Sequence, residues 1–124
     1  MANPNIVNVA TINAGTEMVA LPTTAATAII SNAASSGKVI KVNCLYAANV
    51  DGSVACDITI NLYSAAALGG TAFPIAYTVS VPADSTVIII AKDAPIYLTE
   101  NMSIGATAGT GGDVTIVASY EEIS

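Results

Sequence analysis

Apolar residues recur at every second position along most of this chain, and that period of two constrains the fold more than any other feature. Phe73, Ile75, Tyr77, Val79 and Val81 alternate with Ala72, Pro74, Ala76, Thr78 and Ser80. Met102, Ile104 and Ala106 alternate with Ser103, Gly105 and Thr107, and Val114, Ile116, Ala118 and Tyr120 with Asp113, Thr115, Val117 and Ser119. Successive side chains of extended backbone point to opposite faces, so such a run makes a strand with one buried face; a helix needs spacings of three and four. Alanine is plentiful, but it keeps company with Thr, Val, Ile and Ser rather than with the Leu, Glu, Lys and Arg of ordinary helices.

Turn chemistry divides the pattern into short strands over Ile6–Ile12, Ala28–Asn32, Lys38–Ala47, Ala55–Tyr63, Phe73–Val81, Thr86–Ala91, Ile96–Leu98, Met102–Ala108 and Val114–Tyr120. The separators are Asn13-Ala14-Gly15, Ser35-Ser36-Gly37, Asp51-Gly52, Leu68-Gly69-Gly70, Pro82-Ala83-Asp84, Lys92 to Pro95, Glu100-Asn101 and Gly109 to Gly112. About eight strands at this spacing predict an all-β, antiparallel β-sandwich or jelly-roll. The 124 residues suit one domain, 1–124, with residues 1–8 read as an N-terminal arm. Pro74 lacks the N–H that a central strand needs, which sends its strand to a sheet edge or a bulge. Thr86–Ala91 is apolar on both faces. It reads either as a central strand covered on both sides or as a subunit interface.

Charge and residue inventory exclude whole classes of function. Nine acids face three lysines, Lys38, Lys41 and Lys92, for a formal net charge of −6, and there is no arginine. Phosphate-backbone binding has almost nothing to work with, so no nucleic acid is expected. Without histidine, Ser-His-Asp and Cys-His nucleophilic arrangements cannot be built. Asn49, Asp51, Ser53 and Asp57 offer oxygens at near-alternate positions, but Gly52 and the missing terminal Glu do not follow a calcium loop. They read as a turn and a strand start. Gly109 to Gly112 lacks the lysine and the following helix of a phosphate cradle and reads as a hairpin loop. The tyrosines fall in or beside strands, and tryptophan is absent, so a sugar-stacking face is a weak reading. No catalytic residue, cofactor or metal ligand is therefore expected.

Cys44 and Cys56 flank Asp51-Gly52, and alternation through Ile40, Val42, Cys44 and Tyr46, then Cys56, Ile58, Ile60 and Leu62, sets both thiols on the apolar face of an expected hairpin. A three-residue loop Val50-Asp51-Gly52 keeps both apolar sets together and leaves the thiols diagonal, about 7–8 Å apart at the backbone. That is too wide for a bridge. A five-residue loop would set them opposite. The expectation is two buried, reduced thiols. The opening residues lack a positive n-region and a leader-length apolar stretch, and Val87-Ile88-Ile89-Ile90-Ala91 is far too short to span a bilayer, so neither a secretory leader nor a membrane is expected.

Three blocks carry a resemblance. They are Met1-Ala2-Asn3-Pro4-Asn5-Ile6-Val7-Asn8-Val9-Ala10-Thr11-Ile12, then Ala48-Asn49-Val50-Asp51-Gly52 leading into Ala55 to Tyr63, and last Val79 to Asp84, Ile96-Tyr97-Leu98 (read as a hairpin) and Ser119 to Ile123. In this order and spacing the chain resembles small structural proteins of tailed marine phages of cyanobacteria. The resemblance implies a non-enzymatic virion β-sandwich present in many copies, assembled in the host cytoplasm. A capsid decoration or cement protein that binds between major capsid subunits, as a homotrimer, is the favoured form. A neck, tail or fibre-base component and a host-glycan binding module are the alternatives. The outward strand faces, built of Ala, Thr, Ser and Asn, suit close packing against another protein, since ordering such side chains costs little entropy. Candidate interface residues are Asn3, Asn5 and Val7 in the arm and Val87 and Ile89 in the doubly apolar run.

Overall fold

The computed structural model describes residues 4–124. It is all-β, with nine strands: β1 (Ile12–Leu21), β2 (Thr27–Asn32), β3 (Val39–Asn49), β4 (Cys56–Ala65), β5 (Gly69–Val81), β6 (Thr86–Ile90), β7 (Ile96–Leu98), β8 (Met102–Ala108) and β9 (Val114–Ile123). A front sheet runs in the order β1-β9-β3-β6, with β7 following β6 along the same side of β3. A back sheet runs β2-β8-β4-β5, and every pairing is antiparallel. The two sheets face each other as a β-sandwich, the predicted class.

Inward-facing aliphatics of both sheets fill the space between them. Leu21, Val42, Leu45, Ala47, Ile116 and Ala118 from the front meet Ile58, Ile60, Val81, Ile104, Ala106 and Ala108 from the back, all essentially without solvent contact. Two buried asparagines tie the sheets together at strand ends. Asn32, at the end of β2, donates from Nδ2 to the carbonyls of Lys38 (2.9 Å) and Leu98 (3.0 Å) and accepts from Ser36 Oγ (2.6 Å). Asn49, at the end of β3, donates to the carbonyls of Val54 and Val81, both at 2.9 Å, while its Oδ1 accepts the Asp51 N–H. Each side chain satisfies backbone groups that a sheet ladder cannot reach, which is the condition for burying an amide at all.

Connectivity overturns the expected hairpin at Asp51-Gly52. β3 and β4 lie in different sheets, so residues 50–55 cross the edge of the sandwich instead of folding back. Asp51 shapes the crossing: its Oδ1 accepts from Ser53 N (2.8 Å), Ser53 Oγ (3.0 Å) and Val54 N (3.2 Å). The acid that looked like a cation ligand is satisfied by its own turn. Gly109 to Gly112 is likewise a crossing from β8 to β9 and not a hairpin, and β6 and β7 lie end to end along β3 with no hairpin at Ile96-Tyr97-Leu98. Every connection except β4 to β5 and β6 to β7 passes between sheets.

The period of two also changes phase where sequence cannot show it. Val42 pairs with Tyr120 but Cys44 pairs with Ser119, so Asn43 is an extra residue, a bulge that flips the rest of β3. Leu45 and Ala47 therefore point inward, and Cys44 and Tyr46, expected inside, point out. In β5, two register shifts around Ile75 and around Tyr77 and Thr78 leave Phe73 and Tyr77 exposed, which breaks the expected apolar face, although Pro74 does lie on an edge strand as its missing N–H requires. The expected turn at Asn13-Ala14-Gly15 is instead the start of β1. Gly15 is there because a Cβ would stand 2.6 Å from the Tyr120 ring on the neighbouring strand, a close approach and not a turn. Residues 4–11, read partly as a strand, are irregular until Thr11 and Ser124 exchange both backbone hydrogen bonds at 2.9 Å.

The bulge makes a direct prediction. Leu45→Ala should cost about 2–5 kcal/mol by denaturant unfolding, because it opens a cavity in a closed core. Tyr46→Ala should cost clearly less, the reverse of the order that uninterrupted alternation requires. A second prediction concerns acid. The Ser53 backbone bond, then its hydroxyl and then Val54 N–H, holds the Asp51 carboxyl below its ordinary pKa. The stability this contributes is present above the unfolded value, about 3.9, and is lost as pH falls through the folded one. Melting temperature measured from pH 5 down to pH 2 should fall less steeply in Asp51→Asn than in the parent chain.

Candidate interaction surface

The outward side of the front sheet carries a continuous row of apolar side chains. Register places Met18 of β1 beside Val117 of β9, Val117 beside Tyr46 of β3, and Tyr46 beside Ile88 of β6. These four side chains form one rank across the sheet, and their fractional exposures are 78, 36, 36 and 59%. On one side of it lie Ala20, Thr115, Ala48 and Thr86, and on the other Thr16, Ser119 and Cys44. These two flanking rows are small and uncharged, and the next row, Ala14, Glu121, Lys41 and Tyr97, carries charge. Scattered exposed hydrophobics are ordinary, but a contiguous rank ringed by small polar residues is the pattern of a surface that packs against something.

A shallow pocket of about 270 Å³ opens beside the rank, lined by Asn43, Cys44, Tyr46, Ile88, Ala91, Lys92 and Ser119. The Cys44 thiol, chiefly by hydrogen bonding and then by charge, raises the Tyr46 hydroxyl above its ordinary pKa. Asn43 Nδ2 donates to Glu121 Oε1 at 3.0 Å, which fixes the bulge that shapes one wall. On the inward side, Tyr120 is raised above its ordinary pKa by burial first, with Glu17 and Glu122 adding to it, and its hydroxyl reaches Glu17 Oε1 at 3.5 Å. Among the described residues no group of three or more acids or thiols gathers into a metal-binding set.

The residues expected at an interface are scattered. Asn3 lies outside the described residues. Asn5 is exposed and turns the chain, its side chain accepting the Val7 N–H at 2.9 Å and its carbonyl the Asn8 N–H at 3.1 Å. Val7 is 91% exposed. Val87 and Ile89 pack against the core, because β6 is an edge strand whose inward face they share with Ile90. That also removes the reading of Thr86–Ala91 as a central strand covered on both sides: Ile88 is open to solvent. Sequence reasoning missed Met18, because its strand was taken for a loop, and Tyr46 and Ile88, because bulges at Asn43 and Ile89 set their phase. Val117 was on the outward list, and its neighbours in register are what give it meaning.

Both cysteines are free thiols, but the expected pair on one apolar face is replaced by a half-buried Cys44 on the front sheet and a buried Cys56 on the back sheet. Cys56 Sγ sits within 3.5 Å of the Asp57 carbonyl and 3.9 Å of the Thr110 carbonyl. Iodoacetamide should alkylate Cys44 in the native protein and reach Cys56 only after denaturation, which intact-mass spectrometry resolves as one adduct and then two.

No family model and no curated protein matches the sequence. Among solved structures, the chain is similar to one from the work described as "Bacillus endospore appendages form a novel family of disulfide-linked pili", with a TM-score of 0.53 and 15% identity over 92% of this chain and 88% of that one. At that identity the likeness is one of fold, a β-sandwich matched over nearly its whole length.

Proposed function

We propose that this chain is a non-enzymatic structural subunit that works by packing against other protein surfaces, and that its particular setting is a phage virion, as a capsid decoration or cement protein. The observation that carries the reading is the Met18–Val117–Tyr46–Ile88 rank, an exposed apolar strip flanked on both sides by rows of small, uncharged residues. Burying it against a partner removes apolar area from water and orders few flexible side chains. The virion setting rests on the sequence resemblance, with copies gathered at local threefold sites of a shell and the acidic charge keeping free subunits apart in solution.

A second reading is a subunit of a pilus-like fibre. The described likeness to a chain of disulfide-linked pili favours it, since a sandwich of this build serves there in a repeating appendage. Quantitative mass spectrometry of purified particles separates the two. Copies in the hundreds per virion support the shell, and about a dozen or fewer support a neck, tail or fibre base. Absence from virions, with recovery in extracellular filaments, overturns the virion reading in favour of the fibre.

A further inference from the structure

Five strands lie at sheet edges, and four of them carry features that discourage pairing with another chain. β5 has Pro74 and three register shifts, β2 is short and shifted between Ala28 and Ile30, β6 is five residues long, bulged at Ile89 and followed by Lys92, and β7 is three residues long and preceded by Pro95. Bulges, prolines, short length and lysine are the usual means by which a sheet edge avoids a partner. β1 has none of them. Its ten residues pair with β9 in unbroken register, contain neither proline nor lysine, and have no other strand beside them among the described residues.

Register fixes what the free side of β1 presents. Thr11 and Ser124 exchange both backbone bonds, so Asn13, Gly15, Glu17, Val19 and Leu21 also face β9. Ile12, Ala14, Thr16, Met18 and Ala20 then aim their N–H and C=O groups away from the sheet. Their side chains are uncharged and exposed. Of nine acids in the chain, only Glu17 lies on this strand, and it points to the inward side with Tyr120. Two copies carrying a net charge of −6 each can therefore approach here without bringing acids face to face.

We propose that β1 pairs with β1 of a second copy of this chain, antiparallel about a twofold axis at Thr16, joining the two front sheets into one. That register sets Ile12 opposite Ala20 and Met18 opposite Ala14, so each exposed large side chain meets an alanine. It sets Glu17 opposite Gly15, not against the other Glu17. All five outward residues of each copy donate and accept across the axis. A strand of ten residues about 34 Å long in a layer about 10 Å deep gives on the order of 700 Å² for both copies together. Stable interfaces bury about 1,200 Å² or more, so the pairing is reversible in solution. The contact is independent of where the protein resides and is compatible with a separate threefold contact.

A cysteine trap reads such a contact directly. Opposed residues of a hydrogen-bonded antiparallel pair stand about 5.5 Å apart at Cα, within disulfide reach. Full-length Thr16→Cys, on a Cys44→Ser background and checked for an unchanged melting profile, should form a dimer of about twice 12.4 kDa under oxidised glutathione, at least tenfold faster than a Thr23→Cys control beyond the strand end. In the parent chain, mass by light scattering should rise with concentration, and Met18→Lys should abolish that rise. Equal trapping of Thr16→Cys and Thr23→Cys overturns the proposal, as does a concentration-dependent rise that Met18→Lys leaves intact.

Discussion

Neither sheet of this protein has a dry inner face without the other, and that mutual dependence organises everything else. The front sheet supplies Leu21, Val42, Leu45 and Ile116; the back sheet supplies Ile58, Ile60, Val81 and Ile104. Burial of such side chains contributes about 1.5–3 kcal/mol each, and it is available only when the two faces are brought together. The connections follow from this requirement. A chain that passes repeatedly between sheets ties both together along its length, and Asn32 and Asn49 satisfy the backbone groups that those passages strand inside.

With the inward faces committed to each other, any interaction has to use what remains: outer faces, loops and edges. The outer front face differs from the outer back face in how it is covered. On the back, the turn through Ala67 and Leu68 folds over the sheet: Leu68 N–H donates to Ser103 Oγ, and Leu68 would meet a Cβ at Gly105 at 2.6 Å. Gly105 is thus what lets the strap lie flat. On the front face the Met18–Val117–Tyr46–Ile88 rank stays open. That open rank is the physical basis for the interaction proposed at the front.

Much of the fold was legible in residues such as Ile58, Ile60, Ile104 and Ile116, whose alternation survives folding unchanged and whose β-branched shapes suit a sheet core. Pro74 announced its edge because a missing donor cannot be hidden. Tyr46 was not legible, because the single bulged residue Asn43 upstream inverts the side chains after it and leaves no mark in composition, and Ile88 was not, because its run is apolar at every position and shows no phase. Gly15 misled for a different reason. A glycine closing an Asn-Ala-Gly run after an apolar segment looks like a turn, and only the Tyr120 ring packed over it shows that space, not backbone freedom, is what it supplies.

The amino-acid sequence alone pointed to a β-sandwich and to an inventory of no histidine, no arginine and three lysines, because strand periodicity and composition are local properties of the chain. Which strands pair, which alternate side chains end inside and which edge stays open were decided only by the tertiary structure. Those outcomes depend on register between segments far apart in the chain, where adding one residue to one strand turns a core position into a surface one.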